Sequence, residues 1–353
     1  MPTDPMSAVP GRPNQAAAEG HAQRLRRRWL GPALVVLSAL AIALGASVGS
    51  TGLDALWRAA QDPVAWQIVM DIRLPRTLGA WLTGALLGLS GAVAQGVFRN
   101  PLADPFLLGS ASGAVLGVAL LLALMGAPVS SASWLLKMGM TGAAFLGALG
   151  GVLLTLLLAQ GVQQTLRLLL AGVVVGYVLG AVKDLVTLAV PDVLSSMLGF
   201  VLGNTSLLGW NACALLALVL VPLLLVAAAS ARVLDGLSLG EATAQSLGLP
   251  LAPLRAVLVA VLALGTGAAV AQAGLIGFVG LAAPHLVRSL VRVTHGPLLL
   301  LSALAGGLLL SVADIIARVV IAPQELPVGV LTAVLGGTYL LWLMYRRTRA
   351  GQS

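Results

Sequence analysis

Charge is scarce in this chain. Of its 353 residues only 9% are Asp, Glu, Lys or Arg, where a soluble domain carries about 25%. Hydrophobic residues make up 59%. A water-soluble globular protein is thereby excluded, and most of the chain belongs in lipid. A single cysteine, Cys213, excludes a disulfide framework and a cysteine-built metal cluster. Lysine occurs only at Lys137 and Lys183, neither in a G-x-x-x-x-G-K-S/T context, so the chain is not itself a P-loop ATPase. His21, His285 and His295 are scattered and have no metal-ligand spacing. No nucleophile–base–acid set is present. Catalysis by this chain is not expected, nor is a cofactor or metal of its own. Carboxylates inside apolar runs are few: Asp184 and Asp314 are the candidates, and both fall nearer the outer side than the midplane. A proton- or sodium-coupled carrier ordinarily holds such groups deep in the membrane. The net charge of +8 does not point to nucleic acid, because basic residues at helix ends are the ordinary mark of membrane topology.

Ten apolar segments are present, at residues 29–49, 74–97, 108–127, 134–159, 166–189, 209–230, 253–274, 276–293, 297–320 and 327–345. Most are long enough to span a bilayer as α-helix; the eighth is short. The fold predicted is an all-α integral membrane domain of ten transmembrane helices over residues 29–347. Glycine, at 42 residues, suits close helix packing, and GxxxG pairs at Gly84/Gly88, Gly147/Gly151 and Gly176/Gly180 read as packing sites. Residues 1–28 are Pro-, Ala- and polar-rich and read as a disordered cytoplasmic tail. Arg24, Arg26, Arg27 and Arg28 close it and hold the N-terminus inside. A secretory signal has a similar outline, but the apolar run is long and lacks a clear cleavage site, so a retained first helix is preferred. An even helix count puts the C-terminus, with Arg346, Arg347 and Arg349, on the same side. Most basic residues then lie inside. The exceptions are Arg58, Arg73, Arg76, Lys137, Lys183 and Arg318.

Two stretches do not span. Residues 194–208 read as a short helix at the outer surface. Residues 232–251 form the longest polar interruption, on the inner side, with Gly236, Gly240 and Gly248 as turn or cap residues; they read as a docking surface or as a plain connector. The run Ala92-Val93-Ala94-Gln95 recurs as Ala269-Val270-Ala271-Gln272 in a segment of opposite direction, as an inverted repeat would have it.

Arg73 and Arg76 break the positive-inside trend at RLPR (73–76). Proline there starts a helix, and cations at a helix N-terminus oppose the macrodipole. They read as a docking site for carboxylates of an external protein, or else as lipid-phosphate anchors or partners of Asp71. Asp314 and Arg318 stand i, i+4 with the acid first, the favourable order for a helical pair; Arg318 is either a local partner of Asp314 or a third member of an outer cationic cluster. Lys183, inside the outer end of its segment, either snorkels or faces a water-filled cavity where it meets an anionic group of the cargo.

This pattern resembles the FecCD family of binding-protein-dependent ABC importer permeases, which includes permeases for vitamin B12, haem and ferric siderophores. The resemblance covers residues 29 to 347. It rests on RLPR (73–76), SGAVAQGVFRNPLADPFLLGSASGA (90–114), LSLGEATAQSLGLP (237–250), GFVGLAAPHLVR (277–288), ADIIAR (313–318) and ELPVGVLTAVLG (325–336). It implies a homodimer in the bacterial inner membrane, two ATP-binding subunits beneath it that hold ATP and magnesium, and a periplasmic substrate-binding protein above. It implies that Arg73, Arg76 and Arg318 receive glutamates of the binding protein. Leu237, Ser238, Leu239, Gly240, Glu241, Ala242, Ser246, Leu247 and Gly248 become the element coupled to the ATPase. Asn100, Pro101 and Leu102, with Gln163, Gln164 and Thr165, become the cytoplasmic gate. The expected cargo is an iron chelate, haem first and ferric siderophore second. Cobalamin is the alternative within the family, and an ion-coupled carrier or a scaffold without transport are the alternatives outside it.

Overall fold

The computed structural model describes residues 13–48, 62–125, 134–160, 165–246, 248 and 250–350. Among the described residues the regular structure is helical throughout: α1 (Pro13–Ser47), α2 (Pro63–Val97), α3 (Ser110–Met125), α4 (Trp134–Leu158), α5 (Thr165–Ala189), α6 (Asp192–Leu202), α7 (Trp210–Ala229), α8 (Ala231–Ser238), α9 (Glu241–Ser246), α10 (Leu251–Ala273), α11 (Val279–Leu290), α12 (His295–Val319) and α13 (Val328–Ala350). Seven of these, α1, α2, α4, α5, α7, α10 and α12, contain stretches long and apolar enough to cross a membrane. The shorter α3 and α13 are apolar as well, and α11, twelve residues long, falls on the expected eighth segment. Among the described residues the fold is all-α, with an arrangement that accommodates the ten expected segments, and α6, α8 and α9 are short helices between them.

Two boundaries depart from expectation. The chain is helical from Pro13, so residues 13–28 of the tail predicted to be unstructured are part of α1, the rest of that tail lying outside the described residues; Ala, Gln and Arg, all good helix formers, dominate 13–28. Likewise RLPR does not open a helix. The helix begins ten residues earlier at Pro63, where the Asp62 carboxylate accepts a hydrogen bond from the Val64 amide at 2.9 Å. Pro75 lacks an amide proton, and a π-turn over Val69–Arg73 precedes it, widening the rod where the regular bond pattern fails. Arg73 and Arg76 therefore sit inside a continuous rod, and the argument from an opposing macrodipole does not apply to them.

The core is built around the Leu74–Val97 part of α2, almost wholly enclosed by α12, α10, α11 and α7. Small residues set the spacing. A Cβ added to Gly84 would lie 2.3 Å from the Gly306 carbonyl oxygen, and one on Gly88 2.2 Å from that of Ser302, so only glycine permits α2 and α12 to cross this closely. Gly147 and Gly151 admit α3 to α4 in the same way. The third predicted pair differs. Nothing lies within 4 Å of a Cβ at Gly180, and one at Gly176 meets only Ser112 Oγ at 3.6 Å.

Candidate docking, coupling and gate sites

The close crossing of α2 and α12 brings Arg76 beside Asp314 and Arg318 at one end of the pair. Arg76 Nε and Nη2 donate to Asp314 Oδ1 at 3.2 and 3.1 Å, and Nη1 donates to Glu325 Oε2 at 2.8 Å. Arg318 Nη2 pairs with Asp314 Oδ2 one turn away and donates to Thr77 Oγ1 at 3.0 Å; Nη1 donates to the Gly45 carbonyl at 2.9 Å. Thr205 Oγ1 donates to Asp314 Oδ1 at 2.5 Å. Asp314 is 0% exposed and Arg318 1%. Two cations and two carboxylates balance, which is the condition for holding ions out of water. Arg73 Nη1 donates to the Ser47 carbonyl at 3.0 Å, and among the described residues it meets neither Asp71 nor another carboxylate. The three predicted docking arginines are thus gathered at one place, with Arg76 and Arg318 internally paired. Sequence reasoning missed Glu325 and Thr205. A lone acidic residue in ELPVG, soon after Arg318, was the available signal for the first; a threonine offers none.

At the other end of the pair lies the predicted coupling element. Asp235 of α8 accepts from the His295 amide at 2.9 Å, and its Oδ1 lies 2.7 Å from His295 Nδ1. Glu241, opening α9, accepts from Arg255 Nη2 of α10 at 2.8 Å. Leu234 and the His295 ring both approach Gly96, near the end of α2. Leu237 is buried in this junction, whereas Ser238, Leu239, Ala242, Ser246 and Gly248 are exposed. Gly240 and Gly248 have φ of +108° and +74°, the left-handed conformations a sharp elbow requires. Leu247 lies outside the described residues.

After α2 the backbone turns sharply. Asn100 Oδ1 accepts from the Leu102 amide at 2.9 Å, and Asn100, Pro101 and Leu102 are exposed. Asp104 then accepts from the Phe106 amide at 2.8 Å and caps the 3-10 turn Pro105–Leu108. Burial pushes the Asp104 carboxyl up to about 6, against the lowering effect of the Phe106 amide. Asp104, Phe106, Ser112, Gly172 and Tyr177 line a cavity of about 430 Å³ between this turn, α3 and α5. Gln163 and Gln164 lie outside the described residues, as does the side chain of Thr165, so their pairing with the turn is not seen. Lys183 pairs with the adjacent Asp184 and does not line this cavity. The echoed glutamines have unlike settings: buried Gln95 donates to the Leu281 carbonyl at 3.2 Å and accepts from Arg288, while Gln272 is half-buried.

Comparison with known proteins bears on these sites. The model of the FecCD transport family matches residues 33–346. The chain is 38% identical over 327 residues to the hemin transport system permease protein HmuU of Yersinia pestis, covering 91% of this chain and 96% of that one. It is 40% identical over 331 residues to the vitamin B12 import system permease protein BtuC of Escherichia coli, covering 93% and 98%. Among solved structures it is similar to a metal-chelate type ABC transporter in an inward-facing conformation, with a TM-score of 0.79, 30% identity, and 90% and 98% of the two chains covered.

Proposed function

This chain belongs to the FecCD transport family and is an ABC importer permease; from that premise we propose that it carries an iron chelate, haem first and ferric siderophore second, from periplasm to cytoplasm as a homodimer with two ATP-binding subunits and a periplasmic binding protein. The observation that carries the reading is the α2–α12 pair. Arg73, Arg76 and Arg318 gather at its outer end, and the α8–α9 elbow is tied to its inner end through Asp235 and His295. One rigid unit thereby joins a surface for acidic side chains of a binding protein to a surface for the ATPase.

The chain supplies no covalent chemistry. ATP and magnesium bind to the partner subunits, whose closure pushes on exposed Leu239, Ala242 and Ser246. Glu241–Arg255 and Asp235–His295 pass that displacement to α10 and α12, and the contact of Leu234 and His295 with Gly96 passes it to the turn at Asn100, Pro101 and Leu102. The second copy packs against α5 and α13, whose apolar faces are open; the unfilled surface at Gly176 and Gly180 suits close approach by another helix. Both termini lie in the cytoplasm by the distribution of arginine. Lys183, paired with its exposed neighbour Asp184, is a contact for an anionic group such as a haem propionate.

Cobalamin is the second reading, supported by the 40% identity to the vitamin B12 permease. The deciding experiment is ATPase stimulation of the reconstituted complex by binding protein loaded with haem, ferric siderophore or cobalamin. Stimulation by the haem-loaded form alone is expected. Stimulation by the cobalamin-loaded form alone replaces the first cargo with the second, and ATP-independent uptake by this chain alone rejects the scheme.

A further inference from the structure

The outer ion cluster leaves Arg76 only 8% exposed, with three of its five N–H groups engaged. Its Nε and Nη2 donate to Asp314 and its Nη1 to Glu325; Glu325 is the more exposed partner, so a carboxylate arriving from solvent meets Nη1 where Glu325 already stands. The two carboxylates it holds differ in how firmly they are held. Asp314 is fully buried on α12, where it also serves Arg318 and Thr205. Glu325 keeps 31% of its side chain exposed. It lies on the link between α12 and α13, whose turns are fixed by the Gln324 amide donating to the Ile321 carbonyl at 3.1 Å and the Leu326 amide donating to the Ala317 carbonyl at 3.0 Å. Glu325 is the one of the pair whose departure leaves Arg76 still paired, through Asp314, and leaves no carboxylate buried without a cation.

We propose that Glu325 is a placeholder carboxylate: it occupies Arg76 Nη1 in the free permease, and an acidic side chain of a docking protein takes its position and loosens the link into α13. The proposal rests on the docking reading above. Arg73, which among the described residues holds a carbonyl and no carboxylate, makes the first contact; exchange at Arg76 follows. The effect is delivered to α13 because that helix begins at Val328, three residues beyond Glu325. Its first turn is held by the Gly329 amide donating to the Gly203 carbonyl at 3.3 Å. Further along, Phe278 seats in the space left by Gly336, where a Cβ would be 2.3 Å from that of Phe278. The Arg76–Glu325 bond is a third tie, and the one a soluble partner can reach.

The test uses the full chain in lipid nanodiscs, treated with phenylglyoxal, with modification followed at each arginine by mass spectrometry in the wild type, Glu325→Gln and Glu325→Asp. Arg76 is expected to react roughly tenfold faster in Glu325→Gln, the factor that one charge-assisted hydrogen bond supplies. It should stay near the wild-type rate in Glu325→Asp, and Arg318 should be unchanged in all three. Equal rates at Arg76 overturn the proposal. So does acceleration at Arg318, which reports collapse of the whole outer end. Amide hydrogen exchange of residues 320–328 is expected to quicken in Glu325→Gln; unchanged exchange there removes the effect on α13. Capture of the binding protein by the assembled complex separates this proposal from its premise. Capture surviving Arg73→Glu and Arg76→Glu removes the docking reading, whatever covers Arg76. Capture lost in those variants but no tighter in Glu325→Gln keeps docking and removes the placeholder.

Discussion

The α2–α12 pair and α5 are built from the same kinds of residue and are used in opposite ways. In the most apolar stretch of α2, 89% of positions are buried, and in that of α5, 11%. Both helices carry GxxxG pairs. On α2 these admit the backbone of α12, and on α5 Gly180 meets nothing. Composition therefore does not determine which helix is core; the presence of a partner in the same chain does. In lipid an apolar face costs nothing to leave open, so α5 is free to move or to receive a second copy, whereas α2 and α12 are locked and serve as the frame. The charged groups follow the same division. The locked pair holds a balanced buried cluster, whereas the charges of α5 are Arg167 at its start and the Lys183–Asp184 couple, whose acid is 70% exposed.

The largest effect expected on that contrast comes from Asp314→Asn. It leaves Arg76 and Arg318 facing each other without their shared counter-charge, and removing one partner of a buried ion pair costs about 3–5 kcal/mol. Thermal unfolding in detergent should show a large loss. A shift as small as that of a surface variant would mean that the cluster is not the clasp of the frame.

Next comes one substitution made in both helices. Gly91→Ala places a methyl 1.7 Å from the Gly280 carbonyl oxygen, and relieving that clash requires α11 to move away from α2; overpacking of this kind costs about 1–3 kcal/mol or more. Gly180→Ala meets no atom and should gain the helix propensity that glycine lacks, about 0.5–1 kcal/mol. Paired melting curves of the isolated permease should therefore move in opposite directions. Loss of stability in both variants would show that α5 is enclosed in the single chain after all.

Much of this frame is readable in the sequence, and the reasons for the rest are physical. Ten apolar runs announce ten spans because hydropathy is a local property. Asp314 and Arg318 announce each other because i, i+4 neighbours share a helix face. Arg76 gives no such sign of Asp314, 238 residues away, nor of Glu325, 249 residues away, since only the glycine-set crossing brings them together. RLPR misleads because proline is over-represented at the first position of a helix, and a π-turn that carries the rod through it leaves no compositional trace.

The junction between frame and mobile helix is sensitive to pH through Asp104. Its carboxyl is pushed up to about 6 by burial, above the ordinary value of about 4. A raised pKa means that the stability this group lends is whole below the ordinary value and is lost as pH rises through 6. Wild-type permease should thus lose on the order of 1–2 kcal/mol between pH 4 and pH 7 relative to Asp104→Asn, in which the cap to Phe106 is kept and the titration is gone. Parallel curves for the two proteins across that range would place Asp104 in water.

The smallest expected effect is the most informative about cargo. Lys183 and Asp184 form a pair with the acid 70% exposed, and surface pairs of this kind contribute roughly 0–1 kcal/mol. Lys183→Ala should accordingly leave the melting temperature of the permease almost unchanged, which frees uptake to be read without a folding artefact. If Lys183 exchanges Asp184 for an anionic group of the cargo, uptake of haem falls in Lys183→Ala and recovers in Lys183→Arg, while binding-protein capture is untouched. Uptake equal to wild type in the alanine variant removes Lys183 from the cargo path. It leaves the middle and far end of α5 without a charge used in transport, an apolar helix set against a charged frame, and the contrast between the two sharpens.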